Sequence, residues 1–135
     1  MKPDLHKIES YLLTLDVQFE QVSDDVWLIQ DPEKGLSNLI VFVDENLVTL
    51  RARLFTVGHL LESEKLEFFT LLLKYNLEMI HGAYALEDDS IVVMDTLELV
   101  TMDFEEFQAS LDALGLAIAQ HYYVLSQYSQ SAKNS

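Results

Sequence analysis

Apolar residues return at helical intervals in three parts of the chain and in short alternating runs between them. Near the start, Leu5, Ile8, Leu12 and Leu15 recur at spacings of three or four, which predicts a short amphipathic helix. Pro3 lies near its first turn and Asp4 supplies early negative charge, both favourable at a helix N-terminus. From Phe19 the texture changes. Val26 to Gln30, Asn38 to Val43 and Leu47 to Phe55 are apolar runs separated by Asp31-Pro32-Glu33-Lys34-Gly35 and by Asp44-Glu45-Asn46, the pattern of three strands joined by two hairpins. In the third run Val48, Leu50, Ala52 and Leu54 share one parity while Thr49, Arg51 and Arg53 have the other. Successive strand residues point to opposite faces, so this sheet is expected to have a core face and an open face.

Ser63 can cap a second helix whose apolar stripe reads Leu66, Phe69, Leu73, Leu77 and Ile80, with His81-Gly82 ending it. Strands at Ala83 to Leu86 and Ile91 to Val100 then flank the turn-forming group Glu87-Asp88-Asp89-Ser90. In the second of these, Val92 and Met94 share a parity with Thr96 and Glu98, whereas Leu97 and Leu99 have the other, so a bulge near Asp95 would keep more apolar side chains inside. Asp103 followed by Glu106 predicts a capping-box-like start to a long last helix striped by Phe107, Leu111, Leu114, Ile118, His121 and Leu125. The order helix, three strands, helix, two strands, helix, with strands grouped in hairpins, predicts an α+β fold on an antiparallel sheet. One domain is expected over residues 1–128, and the polar tail 129–135, with nothing to bury, is expected to fray.

Composition narrows the function. With 135 residues, 50% apolar and 23% charged, the chain suits one globular domain with its own core. The longest aliphatic or aromatic run, Leu39 to Val43, is far below the ~18 residues of a membrane-spanning helix. Asp4 and Glu9 stand where a secretory signal would be apolar, so the expected location is the cytoplasm. The absence of cysteine excludes disulfides, thiolate nucleophiles and cysteine-ligated metals. The formal net charge is −15, and between Tyr75 and Ala132 ten acidic residues occur with no Lys or Arg. Such a surface repels phosphate backbones and anionic lipid, which leaves a neutral or basic partner rather than nucleic acid or a membrane.

Catalytic chemistry finds no constellation. The four histidines, His6, His59, His81 and His121, have no second histidine three or four residues away, so the helical metal-ligand spacing is missing. The four glycines, Gly35, Gly58, Gly82 and Gly115, are too scattered for a phosphate-cradling loop. Asp24-Asp25, Asp44-Glu45 and Asp88-Asp89 read as solvated turns rather than as converging acid and base groups. His121, on the stripe of the last helix, reads as a hydrogen-bonded structural histidine, and Trp27 as core or sheet-face packing. Neither an enzyme nor a cofactor protein is expected.

The element order, with Tyr75-Asn76, Gly82-Ala83-Tyr84, Asp88-Asp89, Ile91-Val92-Val93, Thr96-Leu97-Glu98-Leu99 and Met102-Asp103-Phe104-Glu105-Glu106, resembles the YbjN family and the wider type III secretion chaperone-like fold. The resemblance runs from about Asp4 to Tyr128. It implies a small acidic homodimer that holds a segment of a client protein; the other readings are a regulatory protein acting on a folded partner and, with least support, a small-molecule binder. On the open strand face Leu47, Thr49, Arg51 and Arg53 are the candidate partner-binding residues, with local neutralisation of acidic neighbours as the alternative role of the two arginines. Phe69, Leu72, Leu73, Tyr84 and Met94 are the candidate dimer interface.

Overall fold

The computed structural model describes residues 5–133, with side chains described through Tyr128. Pro3 and Asp4, expected at the first helical turn, lie outside the described residues. Helix α1 (His6–Leu15) leads into strands β1 (Phe19–Ser23), β2 (Val26–Asp31), β3 (Leu36–Asp44) and β4 (Leu47–Thr56), then helix α2 (Glu62–Glu78), strands β5 (Ala83–Glu87) and β6 (Ser90–Glu98), and helix α3 (Phe104–Lys133). The six strands form one antiparallel sheet in the order β1-β2-β3-β4-β6-β5, so the β5–β6 hairpin joins by laying β6 against β4.

This is the expected α+β class with one strand more than the pattern predicted. The addition is β1, paired along β2 from Phe19 opposite Ile29. As an edge strand it leaves four of its five residues exposed, so it lacks the apolar alternation that marks a half-buried strand.

One parity of the sheet builds the core. Trp27 and Ile29 of β2, Leu39 and Val41 of β3, Leu50 and Ala52 of β4 and Val93 of β6 are buried with Ile8 and Leu12 of α1 and Phe107, Leu111 and Leu114 of α3. The α3 stripe is therefore turned inward as its spacing predicts. Asp103 Oδ1 accepts the Glu106 N–H at 2.8 Å, which starts the helix as the capping pattern implies. The backbone of α3 continues beyond Tyr128 to Lys133, where the sequence led us to expect a frayed tail; Asn134 and Ser135 lie outside the described residues.

Two readings are corrected by the packing. Strand β6 has no bulge near Asp95: its register against β4 is continuous from Glu98 to Val92, and the irregularity lies at Arg53–Phe55 instead. Asp95 can face inward because Ser110 of α3, itself buried, donates its hydroxyl to Asp95 Oδ2 at 2.8 Å. Helix α2 begins at Glu62, with the Leu61 N–H donating to Glu64 Oε1 at 3.0 Å; Ser63 falls inside the first turn rather than capping it. Its inward residues are Phe68 and Leu72, supported by Tyr75 and Met79, whereas Leu66, Leu73, Leu77 and Ile80 of the expected stripe point outward. The two sets lie about half a helical turn apart, so α2 is apolar on opposed sides, and periodicity alone does not say which side is in.

Candidate functional site

With the core parity covered by helices, the other parity forms an outer sheet face. Across it, Leu28, Ile40, Arg51, Met94 and Ala83 lie side by side on five strands, and Val26, Phe42, Thr49 and Thr96 form the neighbouring row. Ile40 is exposed, and Val26, Leu28, Phe42 and Met94 are half-buried by one another without belonging to the core cluster. The face is thus an apolar sheet surface into which two cations are set.

Both cations are tethered to the β5–β6 hairpin. Arg51 forms an ion pair with Glu87 at the end of β5, and this hydrogen bond holds the Glu87 carboxyl below the usual carboxylate range. Arg53 donates through Nε and Nη2 to the Ser90 hydroxyl at 2.9 and 2.6 Å. Each guanidinium keeps further donors, so a carboxylate or carbonyl brought to this end of the face can still be bound.

The four expected partner-binding residues do not form one exposed strip. Leu47 and Arg53 are exposed and Arg51 is half-buried, but Thr49 is only 7% accessible because Phe42 and Thr96 flank it on the adjacent strands. The apolar members Leu28, Ile40 and Phe42 were missed by the sequence reading. Their side chains join Arg51 and Thr49 only through the strand register, and alternation within β2 and β3 was the one signal that could have found them.

The expected dimer residues also separate. Leu72 and Tyr84 belong to the core, and Met94 lies on the opposite face of the sheet from Tyr84, whose cross-strand partner is Val93. Phe69 is half-buried and Leu73 is 69% exposed. What α2 does present is an outer apolar side on which Leu66, Leu73 and Leu77 are 72, 69 and 88% exposed, with Ile80, 90% exposed, just beyond the helix end. Trp27 belongs to the core, and the adjacent carboxylates at 24–25, 44–45 and 88–89 are all exposed, in turns except for Asp44, which ends β3 beside one. Among the described residues no group of His, Asp or Glu could hold a metal ion, and no helix is long and apolar enough to cross a membrane.

Three helices on a six-stranded antiparallel sheet, with α2 inserted between its two strand groups, define a type III secretion chaperone-like α+β protein. The family model CesT_Tir_1 matches residues 1–131, and the chain belongs to that family of type III secretion chaperones. Among solved structures it is similar to YbjN from E. coli, at 16% identity and a TM-score of 0.63 over 90% of this chain and 93% of that one. It is also similar to a protein from Methanothermobacter thermautotrophicus, at 10% identity and a TM-score of 0.66 over 90% and 96% of the two chains. At these identities the likeness is one of fold. No curated protein matches the chain.

Proposed function

We propose that this protein is a non-enzymatic, chaperone-like adaptor of the cytoplasm that holds a segment of a partner protein against the outer face of its sheet and works as a homodimer. The observation that carries the reading is the row Leu28, Ile40, Arg51 and Met94, apolar with one cation, on a sheet face that contributes nothing to the core cluster. Full burial of an exposed aliphatic side chain contributes about 1.5–3 kcal/mol, of which these half-buried residues would gain the remaining part against a partner, and a guanidinium adds direction through its fork of donors. The family supports protein binding, and the charge of −15 favours a client carrying neutral or basic residues beside its anchoring groups.

The dimer reading draws support from α2. A helix apolar on opposed sides is ordinarily covered on both, and one side is already packed against β5 and α3. The exposed side of α2, Leu66, Leu73 and Leu77, would be covered on both copies if two such helices packed antiparallel about a two-fold axis near Leu73.

The test is affinity capture of the partner followed by titration of a peptide from it into wild type and Phe42→Lys. Binding weakened at least about tenfold, with folding retained, supports the sheet face. Equal affinities would exclude that face. Capture of a folded partner none of whose peptides binds would replace the client reading with a regulatory one.

A further inference from the structure

Strand β5 forms one edge of the sheet, and α2 packs along it. Successive strand residues turn their backbone groups to alternate sides, and Asn76 holds both outer groups of Tyr84. Tyr84 and Leu86 therefore turn theirs outward, while Ala83, Ala85 and Glu87 turn theirs toward β6. Asn76 closes the first outward pair. Among the described residues nothing takes the second, on Leu86, whose side chain is 52% exposed.

Beside that open pair lies a cavity of about 190 Å³, lined by Phe69 and Leu73 of α2 and by Leu86 and Ile91 of the β5–β6 hairpin, with Asn76 and Tyr84 where the edge is closed. Phe69, Leu72 and Asn76 project from a flank of α2 roughly 100° round the helix from Leu66 and Leu77. The cavity is thus set apart from the outer side of α2, with Leu73 standing between the two.

We propose that this open edge and its cavity are a second protein-binding site, which takes a short extended segment of a partner protein carrying an apolar residue preceded by Lys or Arg. The segment pairs antiparallel with Leu86 through two backbone hydrogen bonds. A residue set opposite Leu86 turns its side chain to the same face as Leu86 and its cross-strand neighbour Ile91, which is the face that holds the cavity. Main-chain bonds then supply affinity and the cavity supplies selectivity. Pairing cannot extend past Ala85, because Asn76 already occupies the Tyr84 groups.

Charge decides the rest of the segment. Glu87, Asp88 and Asp89 follow Leu86, so in an antiparallel pairing the residues preceding the apolar anchor run beside these carboxylates. Glu87 is paired with Arg51, and Lys65, on the same flank of α2 as Phe69, with Glu62; neither Asp88 nor Asp89 forms an ion pair among the described residues. A second copy would bring its own β5 edge with the same three carboxylates, and like charges set opposite one another are unfavourable. The occupant is therefore a different chain. The site lies at the sheet edge, away from the outer sheet face, and does not rest on the client reading.

The probe is an acetylated and amidated hexapeptide, Thr-Lys-Lys-Leu-Thr-Val, titrated into the isotope-labelled full chain by NMR. The Leu86 and Leu73 amides should shift saturably with a dissociation constant below about 1 mM. Methylating the peptide's leucine amide, which faces β5, should weaken binding at least about fivefold, whereas methylating the next amide, which faces away, should change it less than about twofold. Glutamates in place of both lysines should weaken it at least about threefold. Leu86→Asp should abolish binding, and Phe42→Lys, on the outer sheet face, should bind as wild type does. If Leu86→Asp does not fold, the peptide series carries the test. The proposal is overturned if Leu86 shows no saturable shift by about 1 mM, if the two methylated peptides bind alike, or if the glutamate peptide binds as well as the lysine one. It is equally overturned if Phe42→Lys loses the peptide, which would place it on the outer face, or if the Leu86 amide shifts with protein concentration alone, which would seat a second copy on the edge.

Discussion

Asn76 of α2 completes the outer edge of β5 by holding both free backbone groups of Tyr84: its Oδ1 accepts the Tyr84 N–H at 2.6 Å and its Nδ2 donates to the Tyr84 carbonyl at 3.1 Å. One side-chain amide thus does for this edge what a seventh strand would do. An uncovered edge is a template for pairing with another chain, and the amide closes it at its middle. The arrangement also explains why α2, whose outer side is so apolar, is nonetheless held in one place on the sheet.

Replacing Asn76 by Ala should lower stability by about 1–3 kcal/mol, because both Tyr84 groups lose their partner in a half-buried setting. Asn76→Asp keeps the acceptor for the N–H but turns a carboxylate toward the carbonyl, so its loss should be at least as large near neutral pH. Urea unfolding of the three proteins decides. A change below about 0.5 kcal/mol for Asn76→Ala would mean that water replaces the amide without penalty.

Leu73→Glu should weaken self-association more than Leu13→Glu, although the two positions are similarly exposed at 69 and 64%. Leu73 belongs to the outer α2 stripe, whereas Leu13 lies on α1. Neither change removes core contacts, so each protomer should keep its stability within about 0.5 kcal/mol. Light scattering over a wide concentration range is the measurement, and a wild type that stays monomeric throughout would remove the dimer.

Changing Arg51 and Arg53 together to Ser should leave folding nearly intact, since partly exposed ion pairs contribute about 0–1 kcal/mol. Affinity for a captured partner peptide should nevertheless fall at least about tenfold, or ~1.4 kcal/mol. Glu87→Gln provides the converse, because it frees the Arg51 guanidinium from its ion pair while leaving the apolar row untouched. Calorimetric titration that finds one affinity for all three proteins would reduce the arginines to balancing local acidity.

Gly82→Ala should be among the most damaging single changes. The residue has φ +80°, and an added Cβ would lie 2.8 Å from Leu114 Cδ2 and 3.0 Å from the Met94 carbonyl. The left-handed backbone costs a side chain about 1–2 kcal/mol and overpacking adds about 1–3. Chemical denaturation measures the sum. Gly82→Asn tolerates the backbone better but meets the same contacts, so it should recover only part of the loss.

Against these particulars, α3 was legible because its apolar residues occupy one side only, leaving a single way to bury them. Helix α2 carried the same period but two apolar sides, and only contact with Phe68 and Leu72 decided which faced inward. Strand β1 went unread because an exposed edge strand needs no apolar alternation; its place comes from hydrogen bonds to β2 that no local pattern encodes. Asp95 looked like a register defect until Ser110, fifteen residues further on, supplied the bond that lets it face inward.

The sequence by itself determined the class of fold, the acidic surface and the two-faced character of β4, because each depends on residue type and on spacing along one segment. Tertiary structure alone decided that Thr49 is covered, that Tyr84 and Met94 part to opposite faces, that Leu28, Ile40 and Phe42 join Arg51 in one surface, and that Tyr75, Tyr84 and His121 converge. These are relations between side chains distant in sequence. Strand register and helix docking create them, and both are set by the summed packing of the whole core rather than by any stretch of chain.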